Sequence, residues 1–312
     1  MAKHHYVWRK YLRAWAKDEY IYCCRNGNFF YTNLMNIAAI NDFYKSKKLT
    51  IKEVEFIEAL IKRQSDEYLQ QLNNNWLKDF TFIHRIKQLA DNKGINEQKL
   101  NAAYDKYIHN VEEELHAEIE SGAIKYIESI LNEDISFYNN TDDCSEFLFF
   151  ICIQYMRTSN IKNRIINSLK DIMNTVPDYY KDINIENIWS IQKIICATNV
   201  SYNLFLNRNI YKMILLKHES SKEFITGDQP VFNTYADGKS YEEDIEHLEL
   251  YYPISPKLAI LITKRSRYNG ITRVYIKEYE VSQYNQMVID HSDTQIYATS
   301  EEVLRECGLP KL

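Results

Sequence analysis

Phe224-Ile-Thr-Gly-Asp-Gln-Pro-Val231 is the segment around which the hydrophobic pattern of this chain changes from helical to β-type. Its apolar and β-branched residues lead into Gly227-Asp228, and Pro230 cannot donate a ladder hydrogen bond. The segment is therefore predicted to be a strand that ends in a polar turn, with Asp228 at the strand end. A carboxylate there can orient a basic group, accept a proton or ligate a metal, whereas an ordinary turn Asp bonds its own backbone.

Residues 49–220, upstream of this segment, have helical periodicity. Thr50-Ile-Lys-Glu53 is a capping box, and the apolar positions that follow predict one long amphipathic helix as far as Trp76. A very apolar helix is predicted from Ser145 towards Met173. The other predicted helices cover residues 80–92, 97–110 and 111–131, the last two either separate or fused. Residues 185–206 and their continuation to 217 are predicted to add one or two more.

After Lys217 the pattern becomes β-type. The predicted strands cover residues 223–232, 248–254, 258–263 and 272–279. A last helix is predicted after a second capping box, Thr299-Ser-Glu-Glu302. At the N-terminus, a short helix is predicted within His4–Lys17, and Asn26-Gly27 predicts a β-hairpin.

These patterns predict an α+β protein that is mostly helical. An N-terminal helix and hairpin (1–48) are expected to join a mainly antiparallel C-terminal sheet (221–312), covered by the helical middle region (49–220). The chain contains only 7 Gly and 5 Pro, and no Gly- or Pro-rich linker separates these regions. We therefore expect a single domain over residues 1–312.

Composition and motifs restrict the function. The net charge of −5 provides no global attraction for nucleic acid or an anionic membrane, so any anion site must be local. The six cysteines lack metal-site spacing, and the longest apolar run, Phe147–Ile153, cannot span a bilayer. No Walker loop, dinucleotide fingerprint, H-E-x-x-H or G-x-S-x-G motif is present. We therefore expect a soluble cytoplasmic protein with no metal, no cofactor and no membrane partner.

Arg157 follows the most apolar run of the chain. It lies one helical turn after Gln154 on the same predicted face. An unpaired charge in the interior costs several kcal/mol, roughly, so a carboxylate or phosphate must meet it. Asp228 is the predicted partner. If the two residues simply pair, their role is structural; if Arg157 faces a cleft, it can bind a phosphate or carboxylate ligand.

His5 is the predicted proton-transfer residue, because histidine changes charge near neutral pH. Arg9 and Arg13 are expected one and two helical turns further on. A histidine with two arginines can supply the base and the fixed positive charge of a metal-independent phosphoryl-transfer or RNA-cleavage site. The alternative is a packed N-terminal histidine with arginines that face solvent.

The chain resembles the bacterial domain-of-unknown-function family 4238. Its opening motif is matched by His5-Tyr-Val-Trp-Arg-Lys-Tyr-Leu-Arg-Ala-Trp15, and its Gln-x-x-Arg-Thr helix by Gln154–Thr158. Its Thr-Ser-Asp-Asn-Pro strand end is matched by Thr226–Pro230. Two further matches are Asn36–Tyr44 and Pro253–Pro256. The departures are Trp8 for Pro, Gly227 for Ser and Gln229 for Asn.

The resemblance implies that His5, Arg13, Gln154, Arg157 and Asp228 form one constellation. Members of the family are found in bacterial accessory and defence loci, which implies an effector that cleaves nucleic acid or handles nucleotides. Our leading hypothesis is a metal-independent ribonuclease-like effector acting on RNA or a nucleotide. Its proposed catalytic residues are His5, Asp228 and Arg157, and its substrate-binding residues Arg9, Arg13, Gln154, Tyr11 and Thr226.

Two other functions remain open. The first is a non-catalytic sensor module that binds a nucleotide or another small anion. The second is an interaction protein in which Arg157 and Asp228 form a purely structural pair.

Overall fold

The computed structural model of the protein describes residues 3–95, 97–173, 177–240, 243 and 245–308. The fold of this part is α+β and mostly helical, as predicted. Its helices are α1 (Arg9–Leu12), α2 (Ile51–Lys62), α3 (Glu67–Asn92), α4 (Gln98–Leu131), α5 (Thr141–Met156), α6 (Ser159–Met173), α7 (Ile185–Leu206), α8 (Glu278–His291) and α9 (Glu301–Glu306). Its strands are β1 (Lys3–His5), β2 (Tyr20–Arg25), β3 (Asn28–Asn33), β4 (Ala39–Asn41), β5 (Lys212–Lys217), β6 (Thr226–Gly227), β7 (Phe232–Asn233), β8 (Leu250–Ser255), β9 (Leu258–Thr263), β10 (Arg273–Tyr275) and β11 (Gln295–Ala298).

The strands form three sheets. One has the order β3-β2-β11-β6, a second has the order β10-β5-β9-β8-β7, and β1 pairs with β4. Every neighbouring pair is antiparallel except β5 with β10. In the first sheet the N-terminal hairpin pairs with the C-terminal strand β11, with Cys23 opposite Tyr297. This confirms the predicted joining of the N-terminal hairpin to a mainly antiparallel C-terminal sheet.

The N-terminal segment contains the predicted hairpin and only part of the predicted helix. Asn26 and Gly27 have φ angles of 49° and 76°, the positive values that a two-residue type I′ turn requires. The helix within His4–Lys17 is limited to α1. His5 lies before it, in β1, because this strand pairs with β4 and places His5 opposite Ala39. His5 and Arg9 are therefore not successive turns of one helix.

The middle region follows the predicted helices with one correction, and it decides between the two alternatives for residues 97–131. The capping box is present: the Thr50 hydroxyl accepts from the Glu53 backbone N–H, and the Glu53 carboxylate accepts from Thr50. The predicted long helix nevertheless ends at Lys62, because Asp66 caps a new helix by accepting from the Leu69 N–H at 3.0 Å. The segments 97–110 and 111–131 are one helix, α4.

Other boundaries also differ from the predictions, and the strand predicted over 223–232 is limited to the short strands β6 and β7. The helix predicted over 145–173 divides into α5 and α6 around Arg157-Thr158. Residues 212–217 form the buried strand β5 and not the end of a helix, because they pair with β9 and β10. The strand predicted over 272–279 ends early at β10, and the chain continues as α8.

The helices and sheets share an apolar core. One continuous cluster of buried residues includes Trp15 of the N-terminal segment, Phe147 of α5 and Tyr252 of β8. The region where α4, α5 and α7 meet the N-terminal segment therefore lies in the interior. Among the described residues, none of the helices combines the length and the apolar character needed to cross a bilayer.

Candidate functional site

The buried face of α4 carries three ionisable side chains. Glu112, His116 and Glu120 follow one another at intervals of four residues, so they lie on one face of the helix. The same face holds the buried apolar residues Ile108 and Ala123. Glu112 is fully buried and His116 is 2% exposed. Because charged groups at this depth are costly when unpaired, the surrounding elements must supply partners.

Lys193 of α7 is the partner of Glu112. Its buried ammonium contacts the Glu112 carboxylate and lies 4.6 Å from the centre of the Tyr44 ring, a cation–π contact. His116 Nε2 lies 3.4 Å from Glu112 Oε1. Burial opposes the charged form of both partners. It lowers the pKa of Lys193, while Lys193 and His116 outweigh burial at Glu112 and keep its pKa below the ordinary value.

Arg157 is the partner of Glu120. It follows the last residue of α5 and is 1% exposed, and its Nη2 lies 2.7 Å from Glu120 Oε1. Burial raises the pKa of Glu120, and Arg157 opposes that rise. We use the name polar core cluster for these residues and their polar neighbours, namely His4, His5, Tyr44, Glu112, His116, Glu120, Gln154, Arg157 and Lys193.

Many polar atoms of this cluster are buried without a hydrogen-bond partner among the described residues. They are His4 Nε2, His5 Nε2, Glu112 Oε2, both ring nitrogens of His116, Gln154 Nε2, and Arg157 Nε and Nη2. Arg157 Nη2 is close to Glu120 but poorly aligned for a hydrogen bond. Buried polar groups are normally hydrogen-bonded, so a concentration of unpartnered ones indicates a place that water or a ligand completes.

The cluster reaches solvent beside His5. This histidine is half-buried in β1, and the exposed Arg9 lies within electrostatic range of both His5 and Glu120. Burial, followed by the charge of Arg9, lowers the pKa of His5 to about 4. The charge of the buried Arg157 also lowers the pKa of His5. His5 is therefore a neutral imidazole at pH 7, with one ring N–H and one ring nitrogen that can accept a proton.

Asp228 does not pair with Arg157, so that prediction is wrong. Its carboxylate accepts from the backbone N–H groups of Asp293, Thr294 and Gln295 at 2.7 to 3.0 Å, and from the Thr294 hydroxyl. Burial raises the pKa of Asp228, and these donors oppose the rise. The carboxylate thus holds the turn before β11 against β6. A catalytic role for Asp228 stays a prediction.

The two motifs that contain Arg157 and Asp228 nevertheless meet. The contact runs through their neighbours: the Thr158 hydroxyl donates to the Gln229 side-chain oxygen. The Gln229 amide in turn donates to the Tyr155 carbonyl oxygen at 3.2 Å. The end of α5 is therefore hydrogen-bonded to the segment after β6. The contact involves Thr158 and Gln229, the residues that directly follow Arg157 and Asp228 in the chain.

Tyr11 and Thr226 support the cluster from inside the protein. Their hydroxyls are 2.7 Å apart and buried, and the Tyr11 ring stacks on Tyr252 at a centroid distance of 4.8 Å. Tyr252 is buried within electrostatic range of Arg157. Arg13 lies elsewhere on the surface, where its guanidinium Nη2 is 3.2 Å from Glu19. Substrate binding by these residues stays a prediction.

Sequence reasoning missed most of the cluster. Glu112, His116 and Glu120 could have been found as charged residues that interrupt the apolar stripe of a long helix. Lys193 could have been found as a lone charge within Ile-Gln-Lys-Ile-Ile. Tyr44 lies in one of the quoted motifs but was assigned no role. Among the described residues, no group of three or more His, Cys, Asp or Glu side chains is arranged to hold a metal ion.

Comparison with known proteins gives one match. The model of a family described as "Protein of unknown function (DUF4238)" matches residues 3–302, which includes every residue of the polar core cluster. No curated protein and no solved structure matches the chain.

Proposed function

The chain belongs to this family of unknown function, and we propose that it is a bacterial defence or toxin-type effector that cleaves RNA at the solvent-facing side of the polar core cluster. The observation that carries the proposal is His5, a neutral and half-buried imidazole whose buried Nε2 has no hydrogen-bond partner among the described residues. Two guanidinium groups, Arg9 and Arg157, act on it electrostatically.

In the proposed reaction His5 is the general base. Its neutral Nε2 takes the proton of a ribose 2′-hydroxyl, and the 2′-oxygen then bonds to the adjacent phosphorus while the bond from phosphorus to the 5′-oxygen breaks. The 5′-oxygen leaves as an alcohol after it takes a proton from the His5 imidazolium. Arg9 and Arg157 stabilise the negative charge that develops on the phosphoryl oxygens. This chemistry needs only side chains of the chain itself.

Glu120 and Gln154 complete the proposed site. Glu120 neutralises Arg157 at 2.7 Å in the free protein, so a bound phosphate competes with this carboxylate for the guanidinium. Gln154 Nε2 is a buried donor without a partner among the described residues, one turn before Arg157. It can position a phosphate oxygen once the substrate enters. Tyr11 and Thr226 keep the floor of the site in place through their hydrogen bond.

The test is cleavage of total RNA, tRNA and DNA by the purified chain, in EDTA and then in magnesium or manganese. His5→Ala should reduce RNA cleavage by about 100-fold or more, the usual contribution of a general base. His247→Ala, which removes an exposed histidine, is the matched control and should cleave like the wild type. Equal cleavage by both variants, or no cleavage in any lane, would end the proposal.

The pH profile provides a second test. Because the pKa of His5 is about 4, RNA cleavage should stay constant between about pH 6 and 8 and should fall by half near pH 4. Initial rates in buffers of equal ionic strength measure this directly. An acidic limb centred near pH 6.5 would mean that a histidine with an ordinary pKa is the base.

A second function is favoured by a different observation. Arg157 Nε and Gln154 Nε2 are both buried donors without partners among the described residues, an arrangement that also suits a bound nucleotide or another small anion without turnover. This sensor function predicts that nucleotides raise the melting temperature while RNA stays intact. Arg157→Gln should remove that stabilisation, and His5→Ala should keep it.

A further inference from the structure

A second polar cleft lies on another part of the surface. It opens between the first turns of α6, residues 236–240 and the end of α8, and its volume is about 330 Å³. This size lies at the lower end of the range for small-molecule sites. The charged, amide and imidazole side chains that line it are Asn160, Arg164, Asp237, Lys239, Asp290 and His291.

His291 and Asp237 lie next to each other in the wall of this cleft without forming a hydrogen bond. The distance from His291 Nε2 to Asp237 Oδ1 is 3.9 Å, too long for a hydrogen bond. Both atoms are buried, and neither has a hydrogen-bond partner among the described residues. The imidazole is held by stacking on Phe232, with 4.5 Å between ring centroids and 12° between ring planes. Asn160 fixes the adjacent backbone by donating to the His291 carbonyl oxygen at 2.8 Å.

A ligand hydroxyl satisfies both atoms at once, because it donates to the carboxylate oxygen while accepting from the imidazole N–H. The charges that line the cleft cancel, with Arg164 and Lys239 set against Asp237 and Asp290, so an uncharged ligand fits it best. We propose that this cleft binds the vicinal diol of a sugar ring, with one hydroxyl hydrogen-bonded to both Asp237 and His291.

Asp290 offers a second carboxylate to the neighbouring hydroxyl of the same diol. Burial lowers the pKa of His291 to about 4, so the imidazole is neutral at pH 7 and keeps one nitrogen–hydrogen bond and one acceptor nitrogen. The inference is independent of RNA cleavage at His5, because its readout is sugar binding. A free sugar, a nucleoside and an RNA terminus share this chemistry, and the probes must separate them.

The experiment titrates D-ribose, adenosine and 2′-deoxyadenosine into the purified chain, followed by ligand-observed NMR. Adenosine should bind, and 2′-deoxyadenosine should bind about fivefold to tenfold more weakly because it lacks one hydroxyl of the diol. Binding of D-ribose as well would identify a sugar site, and binding of adenosine alone a nucleoside site. The proposal would be overturned if neither D-ribose nor adenosine binds, or if 2′-deoxyadenosine binds as tightly as adenosine.

His291→Phe keeps the stacking on Phe232 and removes the ring nitrogens, so it should weaken adenosine binding by about fivefold to tenfold. Asp237→Asn should also weaken adenosine binding. This variant tests the same ligand hydroxyl from its second protein partner, which lies at the rim of the cleft. His247→Phe is the matched control, since it places the same change on an exposed histidine outside the cleft. Unchanged binding in both cleft variants would overturn the proposal.

Discussion

Gly227 and Ser292 share one small space between β6 and the end of α8. A Cβ atom on Gly227 would collide with the Ser292 hydroxyl and would lie 3.2 Å from the Gln295 carbonyl oxygen. The Ser292 hydroxyl is fixed there, because it donates to the Val288 carbonyl oxygen at 2.7 Å. The family motif that the chain resembles has Ser where this chain has Gly227. Position 227 therefore has no room for a side chain while the Ser292 hydroxyl occupies this space.

We predict that Gly227→Ser lowers the free energy of unfolding by about 1–2 kcal/mol, because the new side chain displaces the Ser292 hydroxyl from its hydrogen bond. In a background that carries Ser292→Ala the same change should cost clearly less. Urea unfolding of the two single variants and the double variant measures the coupling. Additive costs would show that the two positions do not compete for space.

Asp228 joins two elements that are distant in the chain. Its carboxylate accepts hydrogen bonds from three backbone N–H groups and one hydroxyl of residues 293–295. Its own backbone N–H donates to the Gln295 carbonyl oxygen at 2.9 Å. These bonds place β6 beside β11. They also show why an aspartate is suited to this strand end: its two oxygens can accept all four bonds, whereas an apolar side chain would accept none of them.

We predict that Asp228→Ala lowers the free energy of unfolding by about 3–5 kcal/mol, since it leaves the buried Gln295 N–H and the part-buried donors of Asp293 and Thr294 without their acceptor. Asp79→Ala, at an exposed position, should change it by less than about 0.5 kcal/mol. Urea unfolding of both variants gives the comparison. If Asp228→Ala keeps wild-type stability and loses RNA cleavage, Asp228 is catalytic and its hydrogen bonds matter little for folding.

Elements were predicted correctly where neighbouring residues determine them. Asn26-Gly27 fixes its turn by backbone preference, and Thr50 starts α2 through bonds within four residues. Elements were predicted wrongly where distant pairing decides. The strand that contains His5 depends on β4, and β5 depends on β9 and β10. Periodicity in a single sequence contains no information about such partners, and it therefore predicts a helix at both places.

The polar core cluster shows the same limit at the scale of the whole molecule. Sequence reasoning recognised that Arg157 needs a carboxylate, yet the chain has 43 acidic residues and local pattern does not rank them. The partner is Glu120, on a different helix. Five separate parts of the fold contribute to the cluster: β1, the segment after β4 that carries Tyr44, α4, the end of α5, and α7. Its charges therefore depend on the assembled protein, and protonation within it should affect global stability.

His116 is the residue at which that dependence can be measured. It faces Glu112, Lys193, Arg157 and the Tyr44 ring, and burial lowers its pKa from about 6.5 to about 4. Between about pH 6.5 and pH 4, His116 is therefore protonated in the unfolded chain and neutral in the folded protein. The free energy of unfolding is highest above about pH 6.5 and falls as the pH decreases. From pH 7 to pH 5 the loss from this group should be about 2 kcal/mol. Urea unfolding of His116→Gln should show a pH dependence weaker by that amount than the wild type, whereas His247→Gln should follow the wild type. Parallel curves for all three proteins would mean that the pKa of His116 is the same in the folded and the unfolded protein.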